Sequence, residues 1–113
     1  MKQMIIVLVL YMASALGHST IAQEIIYARL QTSKGNIDLA LYPEKAPLTV
    51  GNFIQYAESG YYDRLIFHRV VKGKLIQTGG LTKYYGKRHT QDPIKNEADN
   101  GLNNRRGTVA MAR

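Results

Sequence analysis

A predicted β-hairpin in the middle of the chain sets the strongest limit on how the chain can fold. Two short, partly apolar runs, Leu65–Val71 and Leu75–Thr78, flank a short turn at Lys72-Gly73. Apolar runs of this length on either side of a glycine-containing turn are typical of two paired antiparallel strands. The sequence therefore predicts a sheet here, and with it a rigid surface on which side chains can be held.

The predicted hairpin carries side chains suited to an uncharged polar group. Successive side chains of a strand point to opposite faces, so Phe67 and Arg69 are expected on one face and His68 on the other. Pairing of the strands can bring Gln77 near Arg69 and place an apolar residue in the floor of a cleft. A fixed guanidinium beside an amide fits a target such as a peptide carbonyl.

Hydrophobic periodicity predicts five strands and one helix. The strands are expected at residues 25–32, 36–42, 65–71, 75–78 and 108–112. A helix is expected to begin near Pro47, because proline lacks an N–H group that the first helical turn leaves unpaired anyway. The apolar side chains of Val50, Phe53 and Ile54 recur at helical spacing, and Gly60 is expected to end the helix. Residues 79–106 form a long irregular segment, which is uncommon unless packed, functional or mobile.

The first 22 residues have the three-part pattern of a secretory signal peptide. A basic start at Lys2 precedes an almost unbroken apolar run at residues 4–16, and small residues flank the expected cleavage site after Ala22. We therefore expect a domain spanning residues 23–113, located in the periplasm or secreted. A membrane anchor is the alternative, but the apolar run is shorter than the roughly 20 residues of a helical span. No stable membrane insertion is expected after cleavage.

The chain is strongly basic, but its positive charge is scattered. Lys and Arg number 15 against 8 Asp and Glu, which gives a formal net charge of +7. Such a balance can indicate nucleic acid, an anionic membrane surface or acidic partners. No run of basic residues is longer than two, a pattern that favours solvated loops over a binding stripe. We therefore expect no nucleic-acid partner.

Several other classes of site are disfavoured by the residues present. The chain has no cysteine, so it can form neither a disulfide bond nor a lipid attachment at cysteine, which fits the periplasm. His68 and His89 with Glu97 or Asp99 match no trusted metal-ligand spacing, and neither metal nor cofactor is expected. No serine lies on a nucleophile elbow, which argues against a serine hydrolase.

Two sequence blocks resemble a known family. The order Phe-His-Arg at residues 67–69, followed by Leu-Ile-Gln-Thr-Gly-Gly at 75–80, is similar to the signature of cyclophilin-type peptidyl-prolyl isomerases. Residues 94–102 and 106–113 resemble the matching loop and strand of bacterial, signal-bearing members. The resemblance runs from about Ile25 to the last residue and corresponds to the N-terminal part of the family's domain. It implies a mainly β fold, an incomplete cyclophilin-like antiparallel barrel of about five strands with one α-helix.

The activity that the resemblance implies is faster X-Pro isomerisation in proline-containing polypeptides during protein folding. Amide resonance sets a barrier of roughly 18–20 kcal/mol, and a catalyst must bind the twisted amide better than either planar form. The twisted prolyl nitrogen becomes basic and can accept a hydrogen bond. Arginine suits this donation through its permanent charge and rigid fork, and by resemblance Arg69 is the catalytic residue. A surface ion pair is the alternative role for Arg69.

The resemblance also implies a substrate-binding set, in which Gln77 holds the peptide backbone. The set comprises His68, Lys74, Leu75, Gln77, Ala112 and Arg113. A structural role is the alternative for His68. No nucleophile, metal or cofactor is needed for this chemistry, and a monomer is expected.

Three departures from the family's pattern bear on activity. Lys74 stands where the family has a phenylalanine in the floor of the proline pocket, and Lys72 and Thr78 replace a proline and a glycine. The segment that supplies the family's pocket walls would follow Arg113. We therefore expect an incomplete copy of the domain with impaired isomerase activity. The alternatives are a non-catalytic prolyl-peptide-binding module and an inactive fragment.

Overall fold

The computed structural model describes residues 6–9 and 23–113, and these residues are mainly β. The elements are β1 (Ile6–Val9), β2 (Ile26–Thr32), β3 (Gly35–Leu41), α1 (Pro47–Glu58), β4 (Leu65–Val71) and β5 (Leu75–Thr82). The first three strands form an antiparallel sheet in the order β1-β2-β3, and β4 pairs with β5 in a two-stranded sheet. Since no closed barrel forms among these residues, the expected incomplete antiparallel barrel with one helix is confirmed.

Strands β2 and β3 agree with the predicted strands within one residue at each end. Ala28 and Leu30 alternate as buried residues on β2, and Leu41 is buried on β3. On the other face Arg29 lies directly opposite Asp38 and donates two hydrogen bonds to its carboxylate, at 2.6 and 3.0 Å. The two-residue alternation of the sequence therefore separates a core face from a polar face.

The strand predicted at residues 108–112 is wrong. This stretch has no strand structure, and the apolar side chains of Val109 and Met111 are exposed. No other strand of the described chain pairs with it, and a lone strand leaves its backbone N–H and C=O groups without partners. A local turn lies just before this stretch, in which the Thr108 hydroxyl donates a hydrogen bond to the carbonyl of Arg105 at 2.7 Å.

The fifth strand is β1, which lies inside the segment predicted to be a signal peptide. Its backbone pairs antiparallel with β2 from Ile6 opposite Leu30 to Val9 opposite Tyr27. The other residues of 1–22, including the expected cleavage position at Ala22, lie outside the described residues. Within the described part of the chain, no helix has both the length and the apolar character to cross a membrane.

Helix α1 begins and ends as its sequence predicts. Its first residue is Pro47, and the chain leaves the helix through Gly60, whose φ of 73° lies in the left-handed region. The N–H of Gly60 donates to the carbonyl of Ala57 at 3.1 Å, and the N–H of Tyr61 donates to the carbonyl of Tyr56 at 3.0 Å. This pair of bonds is a Schellman motif, which satisfies carbonyls at the end of a helix.

The core lies between α1 and the sheet of β2 and β3. Ala28, Leu41 and Val50 are its buried centre. The partly buried apolar residues packed against them are Ile26, Leu39, Ala46, Phe53 and Ile54. The predicted helical stripe is therefore structural, and it fixes α1 against the first sheet.

Replacing Val50 by alanine should lower the free energy of unfolding by about 2 kcal/mol, since two buried methyl groups are removed and a cavity is left. Val50 is 6% exposed. Leu48→Ala on the same helix is the control, because Leu48 is 48% exposed and little area is lost. Urea unfolding of both variants measures the difference. Equal midpoints for the two variants would contradict the proposed position of the core.

Candidate functional site

The hairpin of β4 and β5 is longer and less regular than its sequence predicts. Strand β5 continues to Thr82, and the pairing shifts on both sides of the pair formed by Phe67 and Thr78. Gly79 and Gly80 lie in this irregular part with φ angles of 106° and 86°, which side chains rarely tolerate. Across it, the hydroxyl of Thr78 donates to the carbonyl of Ile66 at 2.8 Å. Strict alternation of faces therefore does not hold between residues 67 and 69.

Beyond this irregularity the pairing is regular, and it brings Arg69 and Gln77 together. The two residues are direct cross-strand partners, and Nη1 of Arg69 donates a hydrogen bond to Oε1 of Gln77 at 3.3 Å. The predicted proximity is confirmed. In the described part of the chain no carboxylate forms an ion pair with Arg69. With Oε1 of Gln77 engaged by Arg69, its amide N–H groups can donate to a bound carbonyl.

An apolar pair lies next to Arg69 and Gln77 on the same face. Val71 lies opposite Leu75, and residues two positions apart on a regular strand share a face. Leu75 is exposed and Val71 is half-buried. The hairpin therefore presents a polar pair and an apolar pair side by side.

Lys74 lies in the three-residue loop of the hairpin. Its N–H donates to the carbonyl of Val71 at 3.0 Å, and Gly73 turns the chain with a φ of 70°. The Lys74 side chain is exposed. It is therefore at the rim of the hairpin face, next to Leu75, where a charged group remains in water.

His68 is half-buried on β4, directly before Arg69. Its Nδ1 atom is buried and makes no hydrogen bond with any described residue. Buried polar atoms usually have a partner, because desolvation without a replacement bond is unfavourable. Because Nδ1 is closed off from solvent, it does not distinguish a binding role from a structural one, and the binding role of His68 stays a prediction.

Ala112 and Arg113 are not brought to the hairpin by any contact of the described chain. Both are exposed, and the guanidinium of Arg113 donates to the carbonyl of Lys95 at 3.5 Å. The geometry therefore assembles Arg69 with Gln77, next to Leu75 and the loop that carries Lys74. The binding roles of Ala112 and Arg113 stay predictions.

The long segment after β5 is packed against α1 and the turn that follows it. Nη1 of Arg88 donates to the carbonyls of Tyr61 and Asp63 at 2.7 and 2.6 Å. The N–H of Gln91 donates to the hydroxyl of Tyr56 at 2.8 Å. A loop of this length is expected to be packed, functional or mobile, and packing is what is observed. No periodic pattern in the sequence predicts these hydrogen bonds.

Four aromatic rings form a cluster on α1 and the turn after it, and the hydroxyls of Tyr56 and Tyr61 hydrogen-bond to this segment. The rings of Phe53 and Tyr62 stack at 5.3 Å between centroids, and Tyr56 lies 4.5 Å from Tyr61. Burial, with smaller contributions from Tyr56 and Tyr61, raises the pKa of Tyr62 to about 12, and burial also raises the pKa of Tyr61. Both hydroxyls therefore stay protonated and neutral near neutral pH.

Glu97 caps α1 from the far end of the same segment. Its carboxylate accepts the N–H groups of Leu48 at 3.1 Å and Thr49 at 2.6 Å, while Ala46 at the N-cap position offers no side-chain bond. Desolvation alone would raise the pKa of Glu97, but the hydrogen bonds from Thr49 and Leu48 and the charge of Lys95 outweigh it and lower the pKa. A carboxylate at this end also complements the helix dipole.

The Glu97 contact predicts an acid-sensitive contribution to stability. Because the folded-state pKa lies below the ordinary 4.5, this contribution is present above about pH 4.5 and disappears as pH falls through the folded-state value. Thermal melts from neutral to acidic pH should show a smaller loss of melting temperature for Glu97→Gln than for the wild type. Glu58→Gln, at the other end of α1, is the control and should keep the wild-type profile. A wild-type profile in Glu97→Gln would contradict the capping role.

A groove of about 560 Å³ lies on the outer face of α1. Its lining residues are Pro47, Leu48, Gly51, Asn52, Gln55, Gln91, Asp92 and Ile94. None of the predicted site residues lines it. Among the described residues, no group of three or more His, Cys, Asp and Glu side chains is placed to hold a metal ion.

Comparison with known proteins places this hairpin in a family. Residues 27–113 match the family model described as "Cyclophilin type peptidyl-prolyl cis-trans isomerase/CLD". The chain belongs to the cyclophilin family. The matched residues contain the whole β4–β5 hairpin, α1 and the segment that Glu97 and Arg88 connect to α1 and the turn after it by hydrogen bonds. The cyclophilin signature and the observed contacts therefore lie in the same part of the chain.

Curated relatives agree with the family match. This cyclophilin is 54% identical over 84 residues to peptidyl-prolyl cis-trans isomerase A of Dickeya dadantii, covering 74% of this chain and 44% of the relative. It is 50% identical over 82 residues to peptidyl-prolyl cis-trans isomerase B of Escherichia coli, covering 73% and 50%. It is 48% identical over 84 residues to a peptidyl-prolyl cis-trans isomerase of Acinetobacter baylyi, covering 74% and 45%. The chain spans about half the length of the curated relatives it matches.

Proposed function

We propose that this cyclophilin chain carries the catalytic arginine and the backbone-binding glutamine of a peptidyl-prolyl cis-trans isomerase. The observation that supports this most directly is the hydrogen bond of Arg69 to Gln77 across a two-stranded sheet. The pair is presented on an exposed hairpin face beside Val71 and Leu75. A prolyl peptide could bind there with its ring on the apolar pair and its amide at the polar pair.

The chemistry follows from what the amide needs as it twists. Resonance makes the barrier roughly 18–20 kcal/mol, and twisting transfers electron density to the prolyl nitrogen. A guanidinium N–H of Arg69 donates to that nitrogen or to the adjoining carbonyl. The bond to nitrogen is the one that is stronger in the twisted state than in either planar state. Gln77, held by Arg69 through Oε1, donates its amide N–H to a peptide carbonyl. No covalent step and no cofactor are required.

The proposed substrates are proline-containing polypeptides whose folding waits on slow X-Pro isomerisation. The names of the bacterial relatives support this substrate class. The pattern of residues 1–22 supports export and action in the periplasm or outside the cell. Scattered basic residues support the absence of a nucleic-acid partner, and we propose that the processed chain is a monomer without stable membrane insertion.

A second candidate function is prolyl-peptide binding without catalysis. The observation that favours it is the exposed Lys74 in the hairpin loop, at the position where the family's pattern has phenylalanine. A lysine stem covers apolar surface, but its ammonium draws water to the rim. A wetter pocket weakens electrostatic discrimination of the twisted amide, so binding can persist where catalysis is reduced.

Exchange NMR on an X-Pro peptide separates the two functions. The full chain is added in substoichiometric amount, and the rate of cis-trans exchange and the peptide's line broadening are both measured. Faster exchange supports the isomerase, and Lys74→Phe is expected to increase it further. Binding of the peptide with an unchanged exchange rate would favour the binding module. If the chain neither bound the peptide nor increased its exchange rate, both proposed functions would be overturned.

A further inference from the structure

A turn directly after β5 projects two tyrosine side chains from the surface. We name residues 82–87 the tyrosine turn. The side chains of Tyr84 and Tyr85 are 79% and 74% exposed, and neither belongs to the ring cluster that packs on α1. Large aromatic groups that stay this exposed next to one another are candidates for contact with a partner.

The tyrosine turn is held in one conformation by its own backbone. The N–H of Tyr85 donates to the carbonyl of Thr82 at 2.9 Å, and the N–H of Thr82 donates to the carbonyl of Gly86 at 3.0 Å. Leu81 and Lys87 pair across the base of the turn. Tyr85 has a φ of 61°, a conformation that is unfavourable for an aromatic residue. The chain therefore keeps a strained tyrosine at a rigid, exposed position.

Two lysines belong to the tyrosine turn. Nζ of Lys83 lies 4.8 Å from the centroid of the Tyr84 ring, and Lys87, which pairs with Leu81 at the base of the turn, has an exposed side chain. The surface therefore combines flat aromatic faces with ammonium groups, and it is complementary to an extended segment that carries carboxylates. Tyrosine contributes contact area at a small entropic cost because it has only two side-chain torsions.

The tyrosine turn is continuous with the candidate site. Thr82 ends the strand that carries Gln77, and the five residue steps from Gln77 to Thr82 span at most a distance on the order of 15 Å. An extended polypeptide of about five residues covers the same distance. A polypeptide held at Arg69 could therefore extend to the tyrosine turn, and this proximity along the chain favours a polypeptide over a nucleic acid.

We propose that the tyrosine turn is a second binding surface of this cyclophilin, one that takes an extended acidic segment of the polypeptide substrate about five residues from the proline. This inference rests on the proposed function for its substrate class. Its own contacts, however, involve only Tyr84, Lys87 and their neighbours, so acidic segments without proline should bind the turn as well.

A proline-free probe tests the tyrosine turn separately from isomerisation. The probe is a fluorescein-labelled extended peptide of alternating Glu and Ser, and its anisotropy is measured with the full chain at low ionic strength. Tyr84→Ala and Lys87→Ala are each expected to weaken binding about fivefold to tenfold. The controls are Tyr27→Ala and Lys34→Ala, which change an exposed tyrosine and an exposed lysine of the first sheet and should weaken binding less than about twofold.

The outcomes separate this inference from the proposed function. Equal loss in the turn variants and the controls, or no binding of the probe, overturns the tyrosine turn as a binding surface even if isomerisation is observed. Weaker probe binding in the turn variants but not in the controls supports the tyrosine turn as a binding surface, even if Arg69 proves to have no catalytic role. Tighter binding of a single-stranded oligonucleotide of the same charge, lost in the same variants, would overturn the assignment to acidic polypeptides.

Discussion

Replacement of Arg69 by alanine is expected to reduce kcat/KM for isomerisation of an X-Pro peptide by about 10²–10³-fold. Removal of one donor aimed at charge that develops in a transition state has an effect of this size. The same change frees Oε1 of Gln77 from its 3.3 Å hydrogen bond, so the amide loses its fixed orientation. A protease-coupled assay with a chromogenic prolyl peptide measures the loss, and peptide binding should weaken less than the rate falls.

Two matched variants show whether the catalytic effect of Arg69 comes from its charge or from the geometry of its guanidinium group. Arg69→Lys keeps the charge but removes the planar fork, and we expect it to recover only part of the lost rate. Arg29→Ala removes another exposed arginine, one that binds Asp38 on the first sheet, and should leave kcat/KM within about twofold of the wild type. If Arg69→Ala were as active as Arg29→Ala, Arg69 would have no catalytic role.

Replacement of Arg88 by methionine is expected to lower the free energy of unfolding by about 2–3 kcal/mol. The side chain donates from Nη1 to the carbonyls of Tyr61 and Asp63, and hydrogen bonds from charged groups contribute about 1.5–3 kcal/mol when their partners would otherwise lose hydration. Methionine keeps most of the apolar stem but donates nothing. Urea unfolding followed by far-ultraviolet circular dichroism measures the change.

The neighbouring Lys87 provides the control for Arg88. Its side chain is exposed, so Lys87→Met should change the free energy of unfolding by less than about 0.5 kcal/mol. A larger effect in Lys87→Met than in Arg88→Met would mean that the segment after β5 is not fastened through Arg88. The two variants also differ in function, because Lys87 belongs to the tyrosine turn.

Features encoded by neighbouring residues were predictable from the sequence. Alternation placed β2 and β3 within a residue of their ends, and Pro47 and Gly60 marked where α1 begins and where the chain leaves it. The proximity of Arg69 and Gln77 followed because the hairpin turn is short and sets the register of the two strands. In each case the determining signal lies within about ten residues of its effect.

Features that depend on distant residues were not predictable. The apolar alternation at residues 108–112 predicted a strand, but a strand also needs a partner, and none lies beside it in the described chain. Glu97 contacts the start of α1 across 48 and 49 residues of sequence, and Arg88 contacts the turn after α1 across 25 and 27. Sequence periodicity does not predict such contacts, because each depends on how two separate elements pack against each other.

The hairpin also has an irregularity that its sequence did not predict. Two glycines follow Thr78, and their positive φ angles accompany the register shift between Leu65 and Phe67. Glycine pairs occur in many turns and linkers, so the pair alone did not specify a bulge inside a strand. A second shift, between Phe67 and Arg69, determines which side chains of β4 share a face with Arg69.

The most direct test of the central claim is an NMR titration of the ¹⁵N-labelled full chain with an X-Pro peptide. The side-chain resonances of Arg69 Nε and Gln77 Nε2 are followed together with the backbone amides of β4 and β5. We predict saturable shifts in both side chains and in Leu75, with little change on β2 and β3. Saturable binding that leaves Arg69 and Gln77 unshifted would contradict the assignment of this hairpin as the prolyl-peptide site.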